Sequence, residues 1–197
     1  MDRNVVFRRR RAQACLKSVV CAVGLSIFGM VACQHLVPPP TDSSRAAQDE
    51  PKFPVNRETV ILIVNGYSAE RPQWFRSEGA DQLGADLWRW SEHVVAALSE
   101  KLQADGAQVY TAETSEWMSF ESSATLVVEV TSLTPPRSSA GEPGATIAVE
   151  FSSGDGSWQQ TIDSRGPAHR FTEALAQLRL AMLTDDSLRK WLASLPH

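Results

Sequence analysis

The apolar positions of this chain fall into three regimes. Between Ser18 and Ala32 they run together without a charge, behind Arg3, Arg8, Arg9, Arg10, Arg11 and Lys17. Residues 34–57 hold few of them, scattered among Pro38, Pro39, Pro40, Pro51, Pro54 and polar neighbours. From Thr59 onward they recur with strand and helix periods, which predicts a folded domain.

Thr59 to Tyr67 (TVILIVNGY) is β-branched and almost continuously apolar, the pattern of a strand covered on both faces or central in a sheet. Residues 68–83, with Trp74 and Phe75, read as an ordered loop. From Gly84 to Asp105, Leu87, Val94, Val95, Leu98 and Leu102 fall on one side of a helix. Asp81 is placed to help its start and Gly106 to end it. On the same angular count Trp88 and Trp90 flank the stripe on opposite sides, while Arg89, Glu92, His93 and Glu100 face outward.

Strands are predicted over Ala107 to Ala112 and Ala124 to Leu133, the latter ended by Pro135 and Pro136. Ala145 to Ser153 and Ser157 to Asp163 form a hairpin about Gly154-Asp155-Gly156. Phe171, Leu175, Leu178 and Met182 predict a helix from Ala168 to about Leu183, and Leu188, Leu192 and Leu195 a further turn or short helix. The order β-α-β-β-β-α predicts a two-layer α+β sandwich, a mainly antiparallel sheet with helices on one face. It occupies residues 58–197 as a single domain.

The N-terminal order of basic residues, apolar run and small residues is that of a secretory signal. Its 15 apolar-run residues are short for a membrane span, which needs about 20. An uncleaved anchor is the alternative, with Ala12 to Leu16 lengthening the span and Lys17 snorkelling. Met30-Val31-Ala32-Cys33 resembles the lipobox of bacterial lipoproteins, with Met30 where Leu is usual. The resemblance implies a signal peptide over residues 1–32 and lipidation of Cys33. Because Gln34 rather than Asp follows, it also implies attachment to the outer membrane, with the domain facing the periplasm. Cys15 and Cys21 lie in the signal, so the mature chain has no partner for a disulfide. Residues 33–57 then read as the lipidated cysteine and a Pro-rich tether, reaching about 70 Å extended or about 27 Å as a coil.

Charge changes across the cut. The whole chain carries −4; without six basic residues and Asp2, 13 basic and 22 acidic side chains remain, a net −9. An acidic surface repels phosphate backbones and anionic head groups, which argues against nucleic-acid partners and electrostatic membrane docking.

Residues in catalytic or metal-binding patterns are sparse. His35, His93, His169 and His197 lack metal-ligand spacing. Ser91-Glu92-His93 holds the residue types of a hydrolase triad, but consecutive helical positions point about 100° apart. Asp155 reads as a hairpin tip rather than a calcium loop, and Glu113, Glu116 and Glu121 as a solvated acidic loop. The expectation is a non-enzymatic protein without cofactor or metal. Six tryptophans, Trp74, Trp88, Trp90, Trp117, Trp158 and Trp191, stand out against two tyrosines. Large aromatics anchor interfaces, which makes Trp74, Phe75, Trp88 and Trp90 the candidate partner-facing residues.

Glu70-Arg71-Pro72-Gln73, then Asp86-Leu87-Trp88-Arg89-Trp90-Ser91-Glu92 and Leu98 to Leu102, is similar to the ABC-type transport auxiliary lipoproteins. There a strand leads through an Arg-Pro loop to a helix bearing an aspartate, a tryptophan and a glutamate. The resemblance spans residues 59–195 and departs from the family after the cysteine, where a tether is expected instead of a further strand. It implies an accessory lipoprotein in envelope lipid transport, in an envelope protein complex with transporter or lipid-carrier subunits. The alternatives are an outer-membrane or cell-wall assembly scaffold, and an envelope hydrolase using Glu113, Glu116 and Glu121.

Overall fold

The computed structural model describes residues 34–40, 50–75, 82–113, 124–135, 144–164 and 170–195; the predicted signal and Cys33 lie outside the described residues. The chain divides between Val31 and Ala32, and everything described belongs to the second unit. In chain order its elements are β1 (Gln34–Leu36), β2 (Val60–Asn65), β3 (Pro72–Phe75), β4 (Gln82–Asp86), α1 (Leu87–Asp105), β5 (Gln108–Glu113), β6 (Thr125–Thr134), β7 (Thr146–Ser153), β8 (Gln159–Asp163), α2 (Phe171–Thr184) and α3 (Asp186–Ala193).

The main sheet has the order β5-β2-β6-β7-β8. β2 runs parallel to both neighbours, and β6, β7 and β8 are antiparallel in turn. The continuous apolar run of β2 follows from this central place: Ile61 and Ile63 on one face and Leu62 and Val64 on the other are all fully buried. In β6 and β7 burial alternates. Leu126, Val128, Val130, Ile147, Val149 and Phe151 share one core with Leu87, Val94, Leu98 and Leu102 of α1 and with Leu178 and Met182 of α2. The domain is therefore α+β, with its helices packed against the sheet.

The structure extends the predicted order by three short strands. β1 pairs parallel with β4, and β3 pairs antiparallel with β4, making a second sheet of order β1-β4-β3. Residues 68–83, predicted as loop, contain β3 and the start of β4, and the predicted helix from Gly84 begins only at Leu87. Its cap is Asp86, whose carboxylate accepts from the Trp88 N–H at 3.2 Å, while Asp81 lies outside the described residues. At the other end Gly106 takes φ +116°, and its N–H donates to Leu102 and Gln103 carbonyls, as the sequence predicts.

The segment 33–57 is not a free tether at either described end. The Val37 N–H donates to the Gly84 carbonyl at 2.7 Å, and the Val37 carbonyl accepts from the Trp90 indole at 3.2 Å. Further on, Phe53 is buried and its N–H donates to Asp105 Oδ2 at 2.8 Å. Glu50 pairs with Arg179 at 2.8 Å, and Arg189 donates to the Lys52 carbonyl at 2.8 Å. Proline-rich composition suggested slack because it offers few apolar contacts; backbone pairing and single anchors such as Phe53 supply them instead.

β6 is longer than β2, whose pairing with it ends at Asn65 opposite Val128. The backbone groups beyond that point meet side chains. Ser91 Oγ accepts from the Val130 N–H at 2.8 Å, and the Tyr67 hydroxyl donates to the Val130 carbonyl at 2.9 Å. The Gln73 carboxamide makes both bonds to Leu133. Buried backbone groups need partners, and these three side chains tie the chain just after β2, β3 and α1 to β6.

Candidate functional site

α1 and α2 lie side by side, and a cleft of about 300 Å³ opens between them. Val94, Ala97, Leu175, Leu178 and Met182 give it an apolar lining, with His93, Arg179, Glu50 and Pro40 also at its wall. That volume is at the small end of the range for ligand pockets, about 300–1,000 Å³. The angular count puts His93 on the outer face of α1, but it is half-buried, because it lines the cleft that α2 closes on that flank. Burial pushes its pKa below the ordinary value of 6.5, so the imidazole is neutral at neutral pH. The Arg179 guanidinium is held by Glu50. The cleft therefore presents an apolar wall, a neutral imidazole and an already paired ion pair, a lining suited to an uncharged chain.

The four candidate partner-facing aromatics separate. Trp90 is fully buried, its ring 5.1 Å from Phe171 and its N–H on Val37, so it faces no partner. Phe75 is also core, 6.4 Å from Phe171. Trp88 packs, half-buried, against the core. Only Trp74 is exposed, at 43 %. It stands in β3 opposite Gly84, and Gly84 stands opposite Leu36 of β1, itself 46 % exposed. Directly paired residues share a face, so Leu36 and Trp74 flank Gly84 on one side of the small sheet. The Trp74 ring lies over Gly84, where a Cβ would meet Trp74 Cε3 at 2.5 Å.

Of the remaining tryptophans, Trp158 and Trp191 stack at 5.2 Å, and the Trp158 indole donates to Ser187 Oγ at 3.0 Å. Trp117, Glu116, Glu121 and His169 lie outside the described residues, as does Cys33. Ser91 is buried and committed to the Val130 N–H. Asp155 caps the predicted hairpin turn: Ser153 Oγ donates to its Oδ1 at 2.6 Å and the Ser157 N–H at 3.0 Å, which lowers its pKa to about 2. Among the described residues no three of His, Cys, Asp and Glu gather to hold a metal ion.

Sequence reasoning missed a charged cluster on the opposite side of the sheet. Glu129 and Glu150 face each other across β6 and β7. Burial first, then Glu150, raises the pKa of Glu129, against the opposing pull of Arg71. Arg71 sits 5.1 Å from the Tyr67 ring centre, and the Tyr67 pKa is raised by burial and then by Glu129. The Glu129 side chain fills the space above Gly66, where a Cβ would collide with it. The partial alternation of β6 carried this signal, since it put one Glu on the polar face; its partner across the hairpin needed the register.

Comparison with family models, with curated proteins and with solved structures finds no match to this chain.

Proposed function

We propose that this chain is a non-enzymatic envelope lipoprotein, anchored through Cys33, that serves as a binding or accessory subunit in lipid transport. The observation that carries the reading is the cleft between α1 and α2, whose lining of Val94, Ala97, Leu175, Leu178 and Met182 beside a neutral His93 suits an acyl chain. The signal-like N-terminus and the lipobox-like Met30-Val31-Ala32-Cys33 support the address. The motifs similar to ABC-type transport auxiliary lipoproteins support the partner class, a transporter or lipid-carrier subunit at the outer membrane.

A photo-crosslinking residue in place of Ala97, which lines the cleft, tests this in the native envelope. Mass identification of an acyl-lipid adduct, or of a transporter or lipid-carrier subunit, supports the proposal. Adducts only with β-barrel or cell-wall machinery move the assignment to an assembly scaffold, and no adduct at all overturns the role of the cleft.

A further inference from the structure

Four large apolar side chains are well exposed among the described residues: Leu36, Trp74, Tyr110 and Leu180. Two of them, Leu36 and Trp74, sit together across Gly84 on one face of the small sheet, while Tyr110 belongs to β5 and Leu180 to α2. Backbone pairing sets the two side chains on this face. β1 is bound to β4 through its register and through the Val37 N–H to Gly84 bond, and the Val37 carbonyl is tied to buried Trp90.

β1 begins one residue after Cys33. Three residues of chain span at most about 11 Å, and two strand spacings add about 10 Å from Leu36 to Trp74. The headgroup layer on each side of a bilayer is about 5–8 Å deep. A diacylated Cys33 thus brings the Leu36–Trp74 face within reach of the membrane interface, leaving no tether between them. The acidic mature chain gains little from charge attraction to anionic lipid, so contact must come from apolar groups, and tryptophan favours the headgroup depth. We infer that the small sheet docks its Leu36–Trp74 face on the lipid bilayer beside the anchor, fixing the orientation in which the domain is held. This inference rests on the lipoprotein reading above.

The test uses the full lipidated protein in vesicles of phosphatidylethanolamine and phosphatidylglycerol, with its intact mass taken first. Cys33 is the only cysteine of the mature chain, so Leu36→Cys, Trp74→Cys and the control Tyr110→Cys each offer one free thiol for a spin label. Labels at 36 and 74 are expected to collide more with dissolved oxygen than with a water-soluble nickel chelate, and the label at 110 to show the reverse. A mass without the diacyl group overturns the anchor and this docking together. A diacylated protein whose labels at 36 and 74 match the one at 110 overturns the docking alone. Labels shielded from both reagents place a protein surface, not lipid, on this face. Because Trp74 covers Gly84 and its loss can loosen β3, Leu36→Cys carries the test independently.

Discussion

The side chain of Gln73 acts as a strand partner for Leu133: its Nε2 donates to the Leu133 carbonyl at 3.0 Å and its Oε1 accepts from the Leu133 N–H at 2.9 Å. Leu133 is almost wholly buried, so neither backbone group has water as a substitute. Gln73→Leu keeps the side-chain volume and leaves both groups without a partner, each costing about 1–3 kcal/mol. The urea midpoint should fall with little change in its slope. A variant as stable as the parent would mean that β6 finds another partner there.

Asp86 joins the end of β4, the chain entering β3 and the start of α1 through one carboxylate. Its Oδ1 accepts from the N–H groups of Arg71 at 2.8 Å and Trp88 at 3.2 Å, while Oδ2 meets only the long approach of Arg89 Nε at 3.5 Å. Asp86→Ala removes the helix cap, about 1 kcal/mol, and strands the Arg71 N–H. Asp86→Asn retains an acceptor and should recover most of the loss in thermal unfolding. Equal losses in the two variants would assign the effect to charge rather than capping.

The contrast between Leu62 and Leu36 explains what was legible in the chain. β2 announces itself as an unbroken apolar run because both of its faces are buried, and β6, β7 and the two longer helices because burial on one face imposes a period, while Gly106 and the Gly154 to Gly156 turn, with β8 behind it, punctuate them. β1, β3 and β4 are three to five residues long, too short for a period, and are defined by one another's backbones. The aromatic candidates went astray for a related reason. A 100° count finds the stripe of α1 that meets the sheet but not the flanks covered by α2 and by the chain after Cys33, where Trp90 and His93 lie. Only Trp74 of the four is open to a partner.

Glu129 gives the fold a pH dependence of known sign. Its native pKa lies above the ordinary 4.5 because of burial and Glu150, moderated by Arg71, with the Tyr67 hydroxyl also near. Between the ordinary and the raised value the folded chain holds more protons than the unfolded one, so stability falls as pH rises through that window. Glu129→Gln keeps the shape above Gly66 and removes the titration. Unfolding midpoints measured across mildly acid to neutral pH should flatten in this variant and lie above the parent at the upper end. An unchanged slope would place the dependence on other groups.

The bond from the Trp90 indole to the Val37 carbonyl, 3.2 Å long, connects the core to the strand that follows Cys33. Trp90→Phe keeps a ring against Phe171 but loses the donor, about 0.5–1.5 kcal/mol, and, being smaller at a fully buried site, adds a cavity cost to it, whereas Trp90→Ala opens a larger cavity and should cost about 3–5 kcal/mol. The informative variant is the first. If the indole holds β1 in place, hydrogen exchange at the Val37 N–H, which bonds the Gly84 carbonyl, should accelerate more than at the Leu62 N–H in β2, because β1 opens without global unfolding. Equal acceleration at both sites would mean that β1 unfolds only with the whole domain, and that its place is held by pairing with β4.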